Sequence, residues 1–117
     1  MVPTGDAALL EDARAVGAAV TTFGPDGDVS CGEIVLERGR SSFALRHPEG
    51  EVDVTLQVPG AHNVSNALAA AAACMAVGVS PDAVATGLAR YTGVERRFHV
   101  KGQIEGVTII DDYAHHP

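Results

Sequence analysis

The sequence predicts an α/β fold: an antiparallel β-meander, then two consecutive helices, then a C-terminal β-hairpin. Three strand-like runs joined by short turns between residues 29 and 58 predict the meander. An alanine-rich stretch that begins near His62 and a second apolar stripe after Pro81 predict the two helices. Two apolar runs on either side of Glu105 and Gly106 predict the closing hairpin.

Composition limits both the core and the partners of this chain of 117 residues, which is long enough for one domain or part of one. Hydrophobic residues make up 46% of it but aromatic residues only 4%, so we expect a core of small aliphatic side chains at close approach. The net charge of −7 argues against nucleic acid and against an anionic membrane surface as partners.

The segment before the meander is predicted to hold one helix and one strand. Residues 7–16 carry apolar side chains at helical spacing, and Asp6 stands in the N-cap position. Residues 18–23 predict a buried β-strand, which the turn-forming cluster at residues 24–28 ends.

The meander is predicted to consist of residues 29–37, 41–47 and 52–58. Phe43 and Leu45 in the second run face the same way. The third run alternates apolar and polar residues most regularly, which indicates a half-buried strand with one wet face.

The helices and the hairpin have recognisable ends. Gly78 suits the C′ position of the first helix, and Ser80 followed by Pro81 suits the start of the second. Residues 98–104 and 107–110 predict the hairpin strands. Because residues 107–110 are almost entirely apolar, we expect that strand to be central and covered on both faces.

Cys31 and Cys74 are expected to be buried free thiols, since they lie far apart and lack metal-ligand spacing. The longest apolar run, residues 67–77, is too short and too rich in alanine to span a bilayer, and no signal peptide is visible. We therefore expect a cytoplasmic protein with no disulfide, no bound metal and no membrane partner.

Asn63 and Asn66 are the first candidate binding residues. Their spacing of three places them on one face of the first turn of a helix. A side-chain amide offers two donors and an acceptor, which suit the edge of a nucleobase. Asn63 is equally well explained as a helix cap. Asn66 lies a full turn in, where asparagine is a mediocre helix former, and this favours a functional role.

Charged residues near the C-terminus are further candidates. Asp111 and Asp112 follow an apolar strand, at the sheet edge where ligands bind in open α/β folds, and a carboxylate there suits the hydroxyls of a ribose. Solvated acids that end the strand are the alternative. Arg96 and Arg97 offer guanidinium groups to a phosphate, although exposed arginines are usually surface residues. Lys101 is the only lysine and belongs to no phosphate-binding loop motif.

Three segments together resemble the Mur ligase family: residues 60–67, 93–98 and 111–117. The ending Asp-Asp-Tyr-Ala-His-His-Pro is the most specific of them. The resemblance covers residues 52–117 strongly and the earlier meander only in general pattern. It implies that residues 1–117 form the second half of the central ATP-binding domain of that family, with residues 111–117 as the hinge to a C-terminal domain.

The resemblance implies that six residues contact the nucleotide or shape its pocket: His62, Asn63, Asn66, Arg97, Asp112 and His115. Asn63 and Asn66 match asparagines that contact adenine, and His62 belongs to the same motif. Asp112 matches the aspartate that holds the ribose. Arg97 matches an arginine that contacts the nucleotide, and His115 approaches the phosphates.

The resemblance also implies an activity for the parent protein. With ATP and Mg²⁺, such a ligase converts the carboxylate of UDP-N-acetylmuramate into an acyl phosphate, which the amino group of L-alanine attacks during peptidoglycan biosynthesis. A murein tripeptide recycling ligase, which typically has phenylalanine at the position of Tyr113, is the alternative. The phosphate loop and magnesium ligands lie upstream in the family, so we expect the chain alone to be inactive, with self-association or a fold without ligand as alternatives.

Overall fold

The structure, a computed structural model, describes residues 1–94 and 99–111. Its helices in this part of the chain are α1 (Ala7–Ala15), α2 (Ala61–Ala76) and α3 (Pro81–Ala89). Its strands are β1 (Val2–Pro3), β2 (Thr22–Phe23), β3 (Ser30–Cys31), β4 (Val35–Glu37), β5 (Arg40–His47), β6 (Gly50–Leu56), β7 (His99–Ile104) and β8 (Val107–Asp111). Meander, paired helices and closing hairpin follow in the predicted order, which confirms the α/β fold.

The meander is built around β5. Strand β6 pairs antiparallel with β5 over seven positions, from His47 opposite Gly50 to Ser41 opposite Leu56. On the other edge of β5, strands β3 and β4 pair one after the other.

The run predicted as one strand over residues 29–37 is therefore two strands. Cys31 and Val35 are four residues apart, whereas their partners Leu45 and Ser42 are only three apart. The extra residue on the β3–β4 side interrupts the ladder as a β-bulge does, and this is the physical reason for the break.

The core lies between one face of this sheet and the helices α2 and α3. Its members are aliphatic or small, apart from one aromatic ring, and come from both layers: Val29, Phe43, Leu45, Val54, Leu56, Val64, Ala67, Leu68, Ala71, Ala72, Val84 and Ala85. Alanines on the inner face of α2 allow the helix to approach the strands closely. The core composition predicted from the sequence is confirmed.

Both helix boundaries at residues 77–81 have the predicted caps. Gly78 takes φ +89°, and its N–H donates to the carbonyl of Met75, while the N–H of Val79 donates to the carbonyl of Cys74. This pair of bonds is a Schellman motif that ends α2. Ser80 then caps α3, because its Oγ accepts a hydrogen bond of 3.4 Å from the N–H of Ala83.

The segment before the meander differs from its prediction in one respect. Helix α1 and its Asp6 cap form as expected, with the Leu9 N–H donating to Asp6 Oδ1 at 3.0 Å. The buried strand predicted at residues 18–23 is wrong: only Thr22–Phe23 is strand, and it is half-buried. The reason is pairing, since β1 offers partners only to those two residues.

The closing hairpin forms as predicted but is exposed. Glu105 and Gly106 have φ values of +50° and +83°, the backbone of a type I′ turn. The prediction that residues 107–110 are central and covered is wrong for the part of the chain that the structure describes. Strand β8 pairs with β7 there, and Val107 and Ile109 are 65% and 48% exposed. An apolar run predicts a strand but not the element that covers it. Among the described helices, none is long and apolar enough to cross a membrane.

Candidate functional site

The site predicted at residues 60–66 is the first turn of α2 and the turn that precedes it. Gly60 is the N-cap residue, with φ +105° and no side chain to cap the helix. Its carbonyl accepts hydrogen bonds from the N–H groups of Asn63 at 3.0 Å and Val64 at 3.3 Å. A positive φ of this size is unfavourable for residues with a Cβ, so glycine suits the entry into the helix.

His62 packs back onto this glycine. A Cβ placed on Gly60 would lie 2.8 Å from Cε1 and 3.0 Å from Nδ1 of the His62 ring. The missing side chain of Gly60 therefore makes room for the imidazole, which remains exposed on its other side. His62 thus lies in the same helix start as Asn63 and Asn66.

The side chain of Asn63 forms a hydrogen bond within the protein. Its Nδ2 donates a hydrogen bond of 2.7 Å to the carbonyl oxygen of Pro59, four residues earlier. The bond closes the turn before α2, but Gly60 is the N-cap residue and no side chain caps the helix, so the interpretation of Asn63 as a helix cap is wrong. An N-cap side chain accepts a hydrogen bond, whereas Asn63 donates one, and its Oδ1 is left over as an acceptor.

Asn66 lies one turn further along and is exposed. Buried Val64, Ala67 and Leu68 fix the opposite face of α2 against the core, so the face that carries Asn66 is turned outward. Within residues 1–94 and 99–111, its amide has no protein hydrogen-bond partner. His62 and Asn66 therefore lie on the exposed side of α2, with half-buried Asn63 beside them, and their contact with a nucleotide stays a prediction.

The other predicted contacts are not tested. Arg97, Asp112 and His115 lie outside the described residues, and their roles stay predictions. Asp111 is described: its Oδ2 lies 3.6 Å from Lys101 Nζ across the hairpin, and both side chains are about half-exposed. Asp111 thus has a partner within the hairpin, as a residue that ends a strand commonly does.

The two cysteines differ from their prediction. Cys31 is half-buried and Cys74 is exposed on the outer face of α2, so the expected burial of both thiols is wrong for Cys74. Burial raises the pKa of the Cys31 thiol, and nearby Arg46 partly offsets this rise. A raised pKa keeps Cys31 protonated and does not favour a nucleophilic role. Neither cysteine forms a disulfide, and the described residues contain no group of three potential metal ligands.

Sequence reasoning missed one polar interaction, between Thr22 and Asp28. Asp28 Oδ2 accepts hydrogen bonds of 2.8 Å from the backbone N–H and from the hydroxyl of Thr22, and the Thr22 hydroxyl accepts one of 3.0 Å from the Asp28 N–H. The backbone hydrogen bond, then the hydroxyl, lowers the pKa of Asp28. The only signal in the sequence was an aspartate after a turn cluster. An open cavity of about 520 Å³ beside Thr22 is lined by none of the predicted nucleotide contacts.

Comparison with known proteins agrees with this architecture. The UDP-N-acetylmuramate–L-alanine ligase of Clostridium novyi is 40% identical over 119 residues, which cover 100% of this chain and 26% of that relative. The crystal structure of MurF from Acinetobacter baumannii superposes with a TM-score of 0.85 and 34% identity, covering 95% of this chain and 25% of the other. The structure of MurC from Thermotoga maritima, a UDP-N-acetylmuramate–alanine ligase, superposes with a TM-score of 0.71 and 31% identity. The superposition covers 82% of this chain and 23% of the other.

The chain therefore spans about a quarter of the length of the proteins that it matches. The family model of the Mur ligase middle domain matches residues 2–74. That match includes α1 and the meander, where the motifs alone gave only a general likeness. Because it extends over more than half of the chain, this chain belongs to the Mur ligase family.

Proposed function

We propose that this chain forms the adenine- and ribose-binding part of an ATP-dependent ligase that joins L-alanine to UDP-N-acetylmuramate. The observation that carries the proposal is the pair of neighbouring amides on the first two turns of α2, half-buried Asn63 and exposed Asn66. Amides held at this spacing on a helix fixed by buried residues suit the edge of a purine. In this proposal Asp112 holds the ribose, and Arg97 and His115 approach the nucleotide.

The chemistry of the ligase requires two partial reactions. The γ-phosphoryl group of ATP is transferred to the muramate carboxylate, which gives an acyl phosphate and ADP. The amino group of L-alanine then attacks the acyl carbon and displaces phosphate, so an amide bond forms and a proton is released. Mg²⁺ accompanies the ATP and neutralises phosphate charge. The described residues offer no ligand set for it, and this chain's own part is to bind and orient the nucleoside.

The choice of L-alanine as substrate is supported by the curated relatives, which carry the name UDP-N-acetylmuramate–L-alanine ligase at 40% identity or more. A second candidate follows from the superpositions on MurF and on a UDP-N-acetylmuramoylalanyl-D-glutamyl-2,6-diaminopimelate–D-alanyl-D-alanyl ligase, both of Acinetobacter baumannii. Murein tripeptide recycling is the third candidate. In this proposal all three use the same nucleotide site; they differ in the amino acid or peptide that is added, and the second also in its UDP-muramoyl substrate.

One assay separates these candidates. The full-length ligase that carries this sequence is incubated with ATP, Mg²⁺ and one of three substrate pairs, and phosphate release is measured. The pairs are UDP-N-acetylmuramate with L-alanine, UDP-N-acetylmuramate with murein tripeptide, and UDP-N-acetylmuramoylalanyl-D-glutamyl-2,6-diaminopimelate with D-alanyl-D-alanine. We expect release with L-alanine. In the same assay Asn66→Ala should raise the KM for ATP about tenfold, because it removes amide contacts to the base. Phosphate release with only one of the other two substrate pairs would reject the L-alanine assignment.

The 117-residue chain alone is proposed to bind adenosine nucleotides weakly and to have no ligase activity. One wall of a pocket supports only about millimolar affinity, roughly −4 kcal/mol. We place the chain in the cytoplasm. Within the full-length ligase it forms the second half of the central domain, and residues 111–117 form the hinge to the C-terminal domain. An amide-shift NMR titration with ADP should give saturable shifts at Asn63 and Asn66 that Asn66→Ala abolishes. Alanine-dependent ADP release by the chain alone would contradict the proposal.

A further inference from the structure

The turn at residues 24–27 holds an aspartate in an unfavourable backbone conformation. Asp26 is exposed and takes φ +58°, while the N–H of Gly27 donates a hydrogen bond of 3.1 Å to the carbonyl of Gly24. Pro25 in the second position and a positive φ in the third are the pattern of a type II turn. That third position favours glycine or asparagine, so an aspartate there carries strain.

The residue that follows Asp26 has to be glycine. A Cβ placed on Gly27 would lie 2.9 Å from the Cα and 3.0 Å from the backbone nitrogen and carbonyl carbon of Phe23. These are backbone atoms, which cannot turn aside as the end of a flexible side chain can. Because Gly27 has no Cβ, its amide nitrogen is sterically open to the side chain of Asp26. All other aspartates and both asparagines of the chain precede a residue that carries a Cβ.

We propose that Asp26 is a site of spontaneous isoaspartate formation, and that opening of this turn controls its rate. The backbone nitrogen of Gly27 attacks Cγ of Asp26, and the hydroxyl of the protonated carboxyl leaves with the amide proton as water. The new C–N bond closes a five-membered succinimide. Water then adds to the main-chain carbonyl carbon of Asp26 and breaks the bond from that carbon to the nitrogen. The chain now continues through Cβ and Cγ, and the former main-chain carbonyl is a free carboxylate.

Hydrogen bonds of the closed turn hold this reaction back. The attacking nitrogen of Gly27 is engaged with the carbonyl of Gly24. The Gly24 N–H in turn donates to the carbonyl of Val29, and the Val29 N–H donates to the carbonyl of Thr22, both at 3.0 Å. The three hydrogen bonds between Thr22 and Asp28 close the base of the same loop. The reaction therefore proceeds from the opened turn, and its rate follows the fraction of molecules in which the turn is open.

The product does not fit the turn from which it forms. Isoaspartate places one additional carbon atom in the backbone between Pro25 and Gly27, so the hydrogen bond from Gly27 to Gly24 loses its register. The pairing of Thr22 with Asp28 spans the same segment and is displaced with it. Once formed, the modification therefore keeps the loop after β2 open.

The test measures isoaspartate in the 117-residue chain during incubation at pH 7, in native buffer and in concentrated urea. Methyl transfer from labelled S-adenosylmethionine by an isoaspartyl methyltransferase gives the amount, and mass spectrometry of the tryptic peptide of residues 15–38 gives the position. We expect isoaspartate at Asp26, formed at least about tenfold more slowly in buffer than in urea, because urea opens the turn. Equal rates in the two solutions, or isoaspartate at other positions only, would overturn the inference.

Variants of Thr22 test the control by the turn. Thr22→Val loses two of the hydrogen bonds to Asp28 and should raise the rate in buffer about tenfold. Thr22→Ser keeps the hydroxyl and should react at the rate of the parent chain. The matched control is Thr86→Val, which removes a hydrogen bond of 2.9 Å to the Asp82 carbonyl within α3 and should leave the rate unchanged.

A last variant tests the chemistry itself. Asp26→Glu keeps the charge, but the same attack would have to close a six-membered ring, so isoaspartate at this position should disappear. An undiminished methylation signal in Asp26→Glu would overturn the assignment to Asp26. Equal acceleration in Thr22→Val and Thr86→Val would overturn the control by this turn, because it would follow from lower stability in general. The comparison of buffer with urea needs no variant and remains decisive if Thr22→Val fails to fold.

Discussion

At the residue scale, the site depends on the glycine that starts α2. Gly60 combines φ +105° with a Cα onto which the His62 ring packs. Both properties require the absence of a Cβ, one for the backbone and one for the space. Asn63 donates to the carbonyl of Pro59, the residue before Gly60, so the whole turn that leads into α2 is built around this glycine.

We therefore expect Gly60→Ala to lower the free energy of unfolding of the 117-residue chain by about 1–3 kcal/mol. Urea denaturation measures this. The matched control is Gly87→Ala in the exposed interior of α3, where φ is not positive and no atom lies within 4 Å of the added Cβ. The control should be stabilising by about 0.5–1 kcal/mol, since alanine is the better helix former. Equal stability of Gly60→Ala and the parent chain would contradict the argument.

Asp28 gives a prediction on pH at the same scale. The Thr22 N–H, and then its hydroxyl, lowers the pKa of the folded-state carboxyl below its usual 3.8. A carboxyl with a lowered folded-state pKa contributes stability above its unfolded-state pKa and loses it as the pH falls through the folded-state pKa. Asp28→Asn should therefore destabilise the chain at pH 7, and the difference from the parent should shrink below about pH 4.

Unfolding free energies of the parent and of Asp28→Asn, measured at pH 7 and pH 3, test this prediction. Thr22→Val is the intermediate control, because it removes the hydroxyl donor but keeps the backbone N–H. It should remove part of the pH-dependent difference. A difference between parent and Asp28→Asn that stays constant from pH 7 to pH 3 would show that the carboxylate is not the stabilising form.

At the scale of elements, the sequence predicted helix ends and turns correctly where the hydrogen-bond partner lies within a few residues. The Schellman end at Gly78, the Ser80 cap and the turn at Glu105 and Gly106 all depend on neighbours within a few residues, and all three form as predicted. The site turn belongs to this class, since Gly60 and Asn63 bond to residues within four positions.

Elements that depend on distant partners were predicted less well. The break between β3 and β4 depends on the register with β5, and the short length of β2 depends on β1. Cys74 is exposed because of the direction in which α2 faces, which its sequence does not determine in an alanine-rich helix. Asp28 was missed because its partner Thr22 is six residues away and carries no motif.

Helix α2 also provides a prediction about packing. Ala71 is fully buried against the core, whereas neighbouring Ala70 is exposed. Ala71→Leu should destabilise the chain by about 1–3 kcal/mol because the added methylenes have no space between helix and sheet. Ala70→Leu adds the same group outside the core and should change stability by less than about 0.5 kcal/mol. Urea denaturation of both variants checks the pair, and equal effects would contradict the packing argument.

At the scale of the whole molecule, the exposed hairpin is the feature with the largest consequence. Ile104 and Val107 lie opposite each other in the β7–β8 pairing, Ile109 lies two residues further along β8, and the three side chains share one face. They are 64%, 65% and 48% exposed. Strands with free edges and apolar faces pair readily with other chains. We propose that the 117-residue chain self-associates through this hairpin.

Sedimentation velocity over a wide concentration range tests the proposal. The chain should show concentration-dependent association, and the double variant Val107→Lys with Ile109→Lys should weaken it at least tenfold, because each change removes apolar surface and places a charge on the edge. The matched control is Val16→Lys with Val77→Lys, at positions 79% and 81% exposed. Both double variants move the net charge from −7 to −5, so charge alone predicts the same change in each. A monomer at every concentration, or equal association of the two variants, would show that the hairpin is not the contact surface.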